Sequence, residues 1–390
     1  MIKDEILTIS NNRNQPTNTA HLFALAKELE SEGESVVHLE LGDPEFGTPA
    51  LIKQTVQNEI TQNNTKYETA QGIFELRASI ASYYKEKFDI SINPKNEVIV
   101  TTGAKLGINL TLRSILKTGD EVIILSPSWP TYKGIVKSLG AVVKEVNLSF
   151  DEHLDIKQIN ETITSKTKCI LINFPNNPTS MTISFSYLKE INKLLAQNPS
   201  IFLLSDEIYL ELAYDEYNTS MITFYQTNNK IIIISGFSKA WAMTGFRLGY
   251  VIAEESIISE VKELINHTTS CVPPFIQKGG VTAMDCKDHF EKIRKYYQFR
   301  QMKVIELLKQ SEYVKIPFNP NAGFYIFIEI VTKSENFVID LLYTHHICVT
   351  PGIIFGAKYK NFIRISLTEN EEVVINSINT ILQYLKESNE

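Results

Sequence analysis

Lys239 stands in the run Ser235-Gly236-Phe237-Ser238-Lys239-Ala240-Trp241-Ala242-Met243-Thr244-Gly245-Phe246-Arg247-Leu248-Gly249-Tyr250, which joins one aliphatic stretch to another. A loop lysine is ordinarily a solvated charge. Here Phe237, Trp241, Met243 and Phe246 flank it, and desolvation lowers a lysine's pKa towards the nucleophilic free amine. Arg247, eight residues on, offers a rigid two-pronged donor suited to phosphate oxygens. Thr102-Gly103-Ala104-Lys105 closes another aliphatic run and opens a helical one. Main-chain N–H groups at a helix start form an anion site, although a plain tight turn accounts for the glycine equally well. Asp206-Glu207-Ile208-Tyr209 reads either as functional acid and phenol or as an ordinary strand-to-loop acid. Pro175-Asn176-Asn177-Pro178-Thr179 reads by itself as a turn. Trp129, in Ser126-Pro127-Ser128-Trp129-Pro130-Thr131-Tyr132, is either core or a stacking ring. Arg364, in Phe362-Ile363-Arg364-Ile365-Ser366, puts a guanidinium inside an apolar run, where it needs an anion from an internal acid or from a substrate.

The elements that must position these residues are legible as periods. Aliphatic runs at 98–101, 122–125, 141–146, 169–172, 201–204, 231–234 and 248–252 are continuous rather than alternating, as in strands buried on both faces. Between them, 105–116, 132–139 and 185–196 have the helical period of crossovers. The alternation predicts an α/β fold with a mostly parallel seven-stranded sheet and helices on both faces, over residues 46–283. Ligands of such sheets bind beyond the carboxyl ends of the strands, and the chemistry-bearing residues of this region follow apolar runs. After 283 the pattern changes. A long helix over 290–308, short strands about 324–328 and helices over 334–343 and 371–385 predict a smaller α+β domain, residues 284–390. Residues 1–45, with a helix over 20–30, are expected to pack against it.

The 390 residues carry 38 Lys+Arg against 45 Asp+Glu, a net charge of −7, and 43% are hydrophobic. That composition supports a large core and excludes a disordered or fibrous chain. A mildly acidic balance argues against a nucleic-acid partner. Cys169, Cys271, Cys286 and Cys348 form no CxxC pair, which fits a reducing compartment better than a zinc site or disulfide framework. Met1-Ile2-Lys3-Asp4-Glu5-Ile6 puts two acids where a signal peptide has its apolar core. No stretch approaches the roughly 18 apolar residues of a membrane span. The expectation is a cytoplasmic protein without a membrane partner.

The Lys239 segment resembles the cofactor-lysine region of class I/II aminotransferases, fold-type-I enzymes that use pyridoxal 5′-phosphate. Gly236, Ser238, Lys239, Gly245, Arg247 and Gly249 fall in register, and the resemblance runs over residues 20–385 with the motifs in the family's order. It implies that Lys239 forms the Schiff base with the cofactor aldehyde and acts as general base, and that Arg247 grips the phosphate. Ser238, Gly103, Ala104 and the main chain of Lys105 join the cofactor-binding set. Asp206 is implied at the pyridine nitrogen, Tyr209 and Asn177 at the ring oxygen, and Trp129 on the ring face. The substrate α-carboxylate falls to Arg364, bordered by the backbone of Gly42 in Leu41-Gly42-Asp43-Pro44-Glu45-Phe46, with Trp129 and Asn177 beside it. Tyr67, in Lys66-Tyr67-Glu68-Thr69-Ala70-Gln71-Gly72, is implied to reach the neighbouring subunit's cofactor phosphate, which makes the enzyme a homodimer with shared active sites. Two positions depart from the pattern: Ser180 replaces the glycine of N-N-P-T-G, and Gly236 stands where many members carry a phosphate-binding serine. The Val272-Pro273-Pro274-Phe275 stretch is unusually rigid for a region near the substrate side chain. The implied reaction is transamination of an L-amino acid with a 2-oxo acid in ping-pong order. A β-lyase or cyclase using the same cofactor site is the alternative.

Overall fold

A computed structural model gives the structure over residues 19–149, 155–214 and 219–390; the acids within Met1 to Ile6 lie outside the described residues. The strands are β1 (Val37–His38), β2 (Val98–Thr101), β3 (Glu121–Ser126), β4 (Val142–Asn147), β5 (Thr167–Asn173), β6 (Phe202–Asp206) and β7 (Ile231–Gly236). They continue as β8 (Gly249–Ile252), β9 (Val314–Lys315), β10 (Tyr325–Ile330), β11 (Ile347–Cys348), β12 (Thr350–Pro351) and β13 (Phe362–Ser366).

The seven expected strands form one sheet in the order β2-β8-β7-β6-β5-β3-β4, and only β8 runs antiparallel to its neighbours. Every residue of β2, β3, β6, β7 and β8 is buried, which is why their sequences are continuous aliphatic runs. The edge strand β4 differs, with exposed Val142, Glu145 and Asn147, as suits a strand covered on one side only. Crossover helices fall at Gly103–Ile115, Pro130–Ser138 and Phe185–Gln197. The second begins two residues earlier than its period indicates because Pro130, with its fixed φ and missing N–H, suits a first helical turn. Further helices at Ala50–Thr61, Phe74–Phe88, Glu255–Asn266 and Pro274–Asp285 complete the cover.

A second, antiparallel sheet has the order β12-β13-β10-β9, and β1 pairs in parallel with β11. Helices at Lys287–Leu308, Ser334–His345 and Glu371–Glu387 lie beside it. Leu22, Ala26 and Leu29 of the helix Thr19–Ser31 share one core cluster with Ile293, Tyr297, Leu341 and Ile378, so the N-terminal helix does pack on the C-terminal part. The cluster around the main sheet takes in Phe318, Phe327, Phe355, Tyr359 and Phe362. Their rings pack at 4.9 Å (Phe327–Phe362) and 5.6 Å (Phe327–Phe355), and each such buried aromatic contributes on the order of 2 kcal/mol. Tyr359 also donates to the Ser126 carbonyl at the end of β3, so the strand bearing Arg364 is held against the carboxyl edge of the main sheet. Among the described residues no helix is long and apolar enough to cross a membrane.

Candidate active site

At the carboxyl edge, register brings the site together. Asn173 of β5 lies opposite Asp206 of β6, and Gly236 of β7 opposite Gly249 of β8, which also faces Thr101 of β2. These ends open on a cavity of about 280 Å³ lined by Gly42, Ala104, Lys105, Trp129, Asn177, Asp206, Tyr209, Ser238, Lys239, Arg247 and Arg364.

Lys239 Nζ donates to the Gly42 carbonyl at 2.7 Å and lies 6.0 Å from the centre of the Tyr209 ring. The expectation that Phe237, Trp241, Met243 and Phe246 surround the ammonium is corrected here: none of them lines the cavity. Phe237, Trp241 and Met243 are buried on the core side of the loop, where Trp241 Nε1 donates to the Ala283 carbonyl. The aromatics therefore anchor the loop backbone, while polar groups face the amine. The segment after Gly42 clamps the same loop twice more, through Thr244 Oγ1 to Asp43 Oδ1 (2.8 Å) and Thr48 Oγ1 to the Ala242 carbonyl (2.6 Å).

An anion cradle lies beside the lysine. Gly103 takes φ +76° at the start of its helix, and a Cβ there would come within 2.6 Å of Arg247 Nη2. A Cβ on Gly249 would come within 2.5 Å of the Ala104 nitrogen. Arg247 itself adopts φ +53°, a left-handed conformation uncommon for a side-chain-bearing residue, and Nη1 donates to the Thr244 carbonyl at 2.7 Å. A helix N-terminus, a guanidinium and the Ser238 hydroxyl around two side-chain-free positions fit a phosphate group. Gly249→Ala should push the 103–104 backbone out of this cradle. Such overpacking costs about 1–3 kcal/mol, so titration of the apoprotein should show cofactor affinity lower by roughly tenfold or more. Unchanged affinity would remove the cradle from the account.

Asp206 is buried at the floor of the cavity. Its carboxylate accepts from Tyr132 Oη (2.6 Å) and from the Ile208 N–H (3.2 Å), and Asn173 Nδ2 holds its main-chain carbonyl. Burial outweighs these bonds and pushes its pKa up to about 6. A carboxylate kept this dry is poised for a cationic partner such as a protonated ring nitrogen. Tyr209 is buried with Oη 3.2 Å from Tyr325 Oη, and burial raises its pKa well above the ordinary phenol value.

Arg364, on β13, donates from Nη1 to Asn177 Oδ1 at 2.9 Å and from Nη2 to the Glu40 carbonyl and Thr350 Oγ1. The Tyr325 ring lies 4.3 Å from its Cζ. The internal salt bridge weighed from sequence is absent among the described residues: its partners are an amide, a carbonyl and a hydroxyl, with no carboxylate. Three of the five guanidinium N–H groups are used, and Nε is buried without a hydrogen-bond partner. With its oxygen engaged, the Asn177 amide keeps its NH₂ for an acceptor such as a ring oxygen.

The two departures have local explanations. Ser180 adopts φ +57°, keeping the backbone path a glycine would take, and its Oγ accepts from the Tyr325 N–H at 3.1 Å. At Gly236 a Cβ would come within 2.9 Å of both Gly249 Cα and the Leu248 carbonyl, so no side chain fits and Ser238 is the hydroxyl at the cavity. Tyr67 is 91% exposed and does not line the cavity of its own chain, nor do Val272 to Phe275. Lys133 is bound to Glu145 at 2.6 Å. Sequence reasoning missed Tyr132, Asn173 and Tyr325. The signal available for Tyr325 was a single hydroxyl inside the apolar run Phe324-Tyr325-Ile326.

The sheet, its carboxyl-edge lysine and the anion cradle define a fold-type-I enzyme of pyridoxal phosphate chemistry. The model of aminotransferase class I and II matches residues 34–379, and the chain belongs to that family. It is 35% identical over 364 residues to a (5-formylfuran-3-yl)methyl phosphate transaminase of Methanocaldococcus jannaschii, covering 93% of this chain and 95% of that protein. It is 34% identical to an aspartate aminotransferase of Pyrococcus horikoshii, covering 92% and 93% of the two chains. The crystal structure of an aspartate aminotransferase of Thermotoga maritima superposes with a TM-score of 0.88 at 30% identity, over 97% of this chain and 99% of that one. The protein is a pyridoxal-phosphate-dependent amino-acid aminotransferase, and the lyase or cyclase alternative is not favoured.

Proposed function

We propose that the residues gathered at this cavity divide the transamination as follows. Bound here, pyridoxal phosphate supplies an aldehyde carbon for the amine and a ring that takes up the electron pair left on Cα. The 103–105 backbone, Ser238 and Arg247 hold its phosphate, and Trp129 covers one ring face. Asp206 keeps the ring nitrogen protonated, while Tyr209 and Asn177 donate to the ring oxygen. Arg364 would receive the α-carboxylate through its unused N–H groups and so fix the orientation of the substrate's Cα–H. Lys239 Nζ would hold the cofactor's aldehyde carbon at rest and, once free, would act as the general base that takes and hands on the substrate's Cα proton. The second half-reaction, with a 2-oxo acid, reverses these moves in ping-pong order. The observation that carries the assignment is the convergence of Lys239, Asp206 and Arg364 on one cavity from three separate stretches of chain. Arg364→Lys tests it: amino-acid affinity should fall by at least tenfold while cofactor affinity holds, and unchanged amino-acid binding would refute it.

The donor class follows from a cation in excess. Lys105 was expected to contribute its main chain, yet its side chain lines the cavity, with Nζ 5.0 Å over the Trp129 ring. Partial burial, with Arg247 and Lys239 nearby, lowers its pKa. Arg247 and Arg364 already answer the phosphate and the α-carboxylate, so Lys105 is available for a second carboxylate. A dicarboxylic donor is therefore the proposed substrate class, in keeping with the aspartate aminotransferases among the relatives. Lys105→Met should lower kcat/KM for aspartate or glutamate roughly 10- to 100-fold and leave alanine little changed; equal losses for acidic and neutral donors would overturn the assignment.

The exposure of Tyr67 supports a homodimer in which it completes the partner's phosphate site. The proposed division remains 46–283 for the large domain, with 1–45 and 284–390 forming the small one. The free thiols of Cys169, Cys271, Cys286 and Cys348 suit the reducing cytoplasm.

A further inference from the structure

Behind Arg364 lies a charge network that the reaction, as derived, leaves unused. The His38 ring sits between two carboxylates, with Nδ1 2.8 Å from Glu40 Oε1 and Nε2 3.1 Å from Glu30 Oε1. A neutral imidazole has one N–H and one lone pair and would turn the lone pair on a carboxylate; only the imidazolium donates to both. Glu40 is fully buried, and its second oxygen has no hydrogen-bond partner among the described residues, so His38 is the cation that compensates it. The same residue's main-chain carbonyl accepts from Arg364 Nη2. Two residues further on, the Gly42 carbonyl holds Lys239. The side chain of Glu40 is thus fixed by His38 while its backbone fixes the substrate arginine.

We propose that the protonated His38–Glu40 pair positions Arg364, so that the enzyme holds a substrate carboxylate more tightly while the imidazole keeps its proton. The inference rests on the assignment of Arg364 to that carboxylate. His38 and Glu40 are positioning residues in this role: His38 does not line the cavity, and Glu40, which does, acts through Arg364. The groups facing the ring are Glu30, with Lys27 beside it, from the helix Thr19–Ser31; Glu40 on the ring's own segment; Cys348 across the β1–β11 pairing; and Glu369 after β13. The hydrogen bond to Glu40 is the main cause of a raised imidazole pKa, with burial opposing it. The pair's contribution is therefore complete below the ordinary imidazole value near 6.5 and is lost as pH rises through the raised one.

The test is equilibrium binding of two unreactive carboxylates to the cofactor-loaded enzyme from pH 6 to 9. Succinate probes both cationic ends of the cavity, and butyrate probes Arg364 without Lys105. Affinity for both should fall by about tenfold through one step, consistent with a lost charge-assisted hydrogen bond. His38→Gln should bind at the weakened level throughout and show no such step. Glu30→Gln, which removes one of the two carboxylates from a partly exposed position, should move the step to lower pH. Cofactor affinity, titrated on the apoprotein, should match the wild type in both variants. A step that persists at the same pH in Glu30→Gln overturns the proposal, even if His38→Gln fails to fold. Arg364→Lys separates the two claims. If it leaves butyrate affinity intact, the arginine assignment fails; if it weakens binding while the His38 and Glu30 variants behave as wild type, only the present inference fails.

Discussion

Lys239→Ala is expected to abolish turnover, lowering kcat by more than about 10⁴-fold, because one change removes two functions. In the proposed division of roles the amine is the site of covalent cofactor attachment and the base for the Cα proton; general-base catalysis alone is worth roughly 10²–10⁴. The pocket itself should survive. Lys239 is only partly buried, its hydrogen bond goes to the Gly42 carbonyl, and the loop remains anchored by Trp241 and by the Thr48 and Thr244 bonds. A hydrogen bond from a lysine ammonium to a carbonyl is worth about 1.5–3 kcal/mol, so melting should shift by no more than a few degrees. The visible absorbance of the attached cofactor should disappear, and borohydride treatment followed by peptide mapping should find no modification at position 239. Turnover surviving in the variant, or an unaltered spectrum, would remove Lys239 from the mechanism.

What was legible in the sequence follows from how each feature is encoded. The seven strands could be read because burial on both faces forces continuous aliphatic runs such as Ile231 to Ile234, all fully buried. Lys239, Asp206 and Asn177 could be read because they sit in local motifs at strand ends. Tyr132, Tyr325 and Glu40 could not, since their meaning arises only in tertiary contact: Tyr132 with Asp206 74 positions away, Tyr325 with Tyr209 116 away, and Glu40 with Arg364 324 away. Composition also misled at one point. The aromatics flanking Lys239 are neighbours in sequence, but the tight loop turns them to the core and leaves the amine among polar groups. Lys105 shows the reverse case, a residue read for its main chain alone, whose ammonium has a direction that no motif specifies.

Asp206→Asn should separate stability from activity in opposite directions. In the cofactor-free protein the buried carboxyl has its pKa pushed up to about 6, against an unfolded value of 3.8. The folded state therefore retains a proton that the unfolded state releases, so stability falls as pH rises between those values, and above about 6 the full cost remains. Two pKa units correspond to about 3 kcal/mol. Asparagine escapes this cost, while its amide turns a donor towards the Tyr132 hydroxyl and gives back about 1 kcal/mol. The apoprotein of the variant should thus melt a few degrees above wild type at pH 7.5, and that advantage should shrink to nothing as pH approaches 4. With cofactor the order reverses. In the proposed arrangement the wild-type carboxylate would gain a cationic ring nitrogen as its partner, whereas the neutral amide could not hold that proton. Turnover should then fall by roughly 10²–10³-fold, the scale of losing one preorganised electrostatic contact. Calorimetric melts of the apoprotein across pH 4–8, set beside kcat for the loaded enzyme, decide the matter. A variant less stable than wild type at pH 7.5, or one that turns over normally, would show that Asp206 holds the floor of the cavity for packing and not for charge.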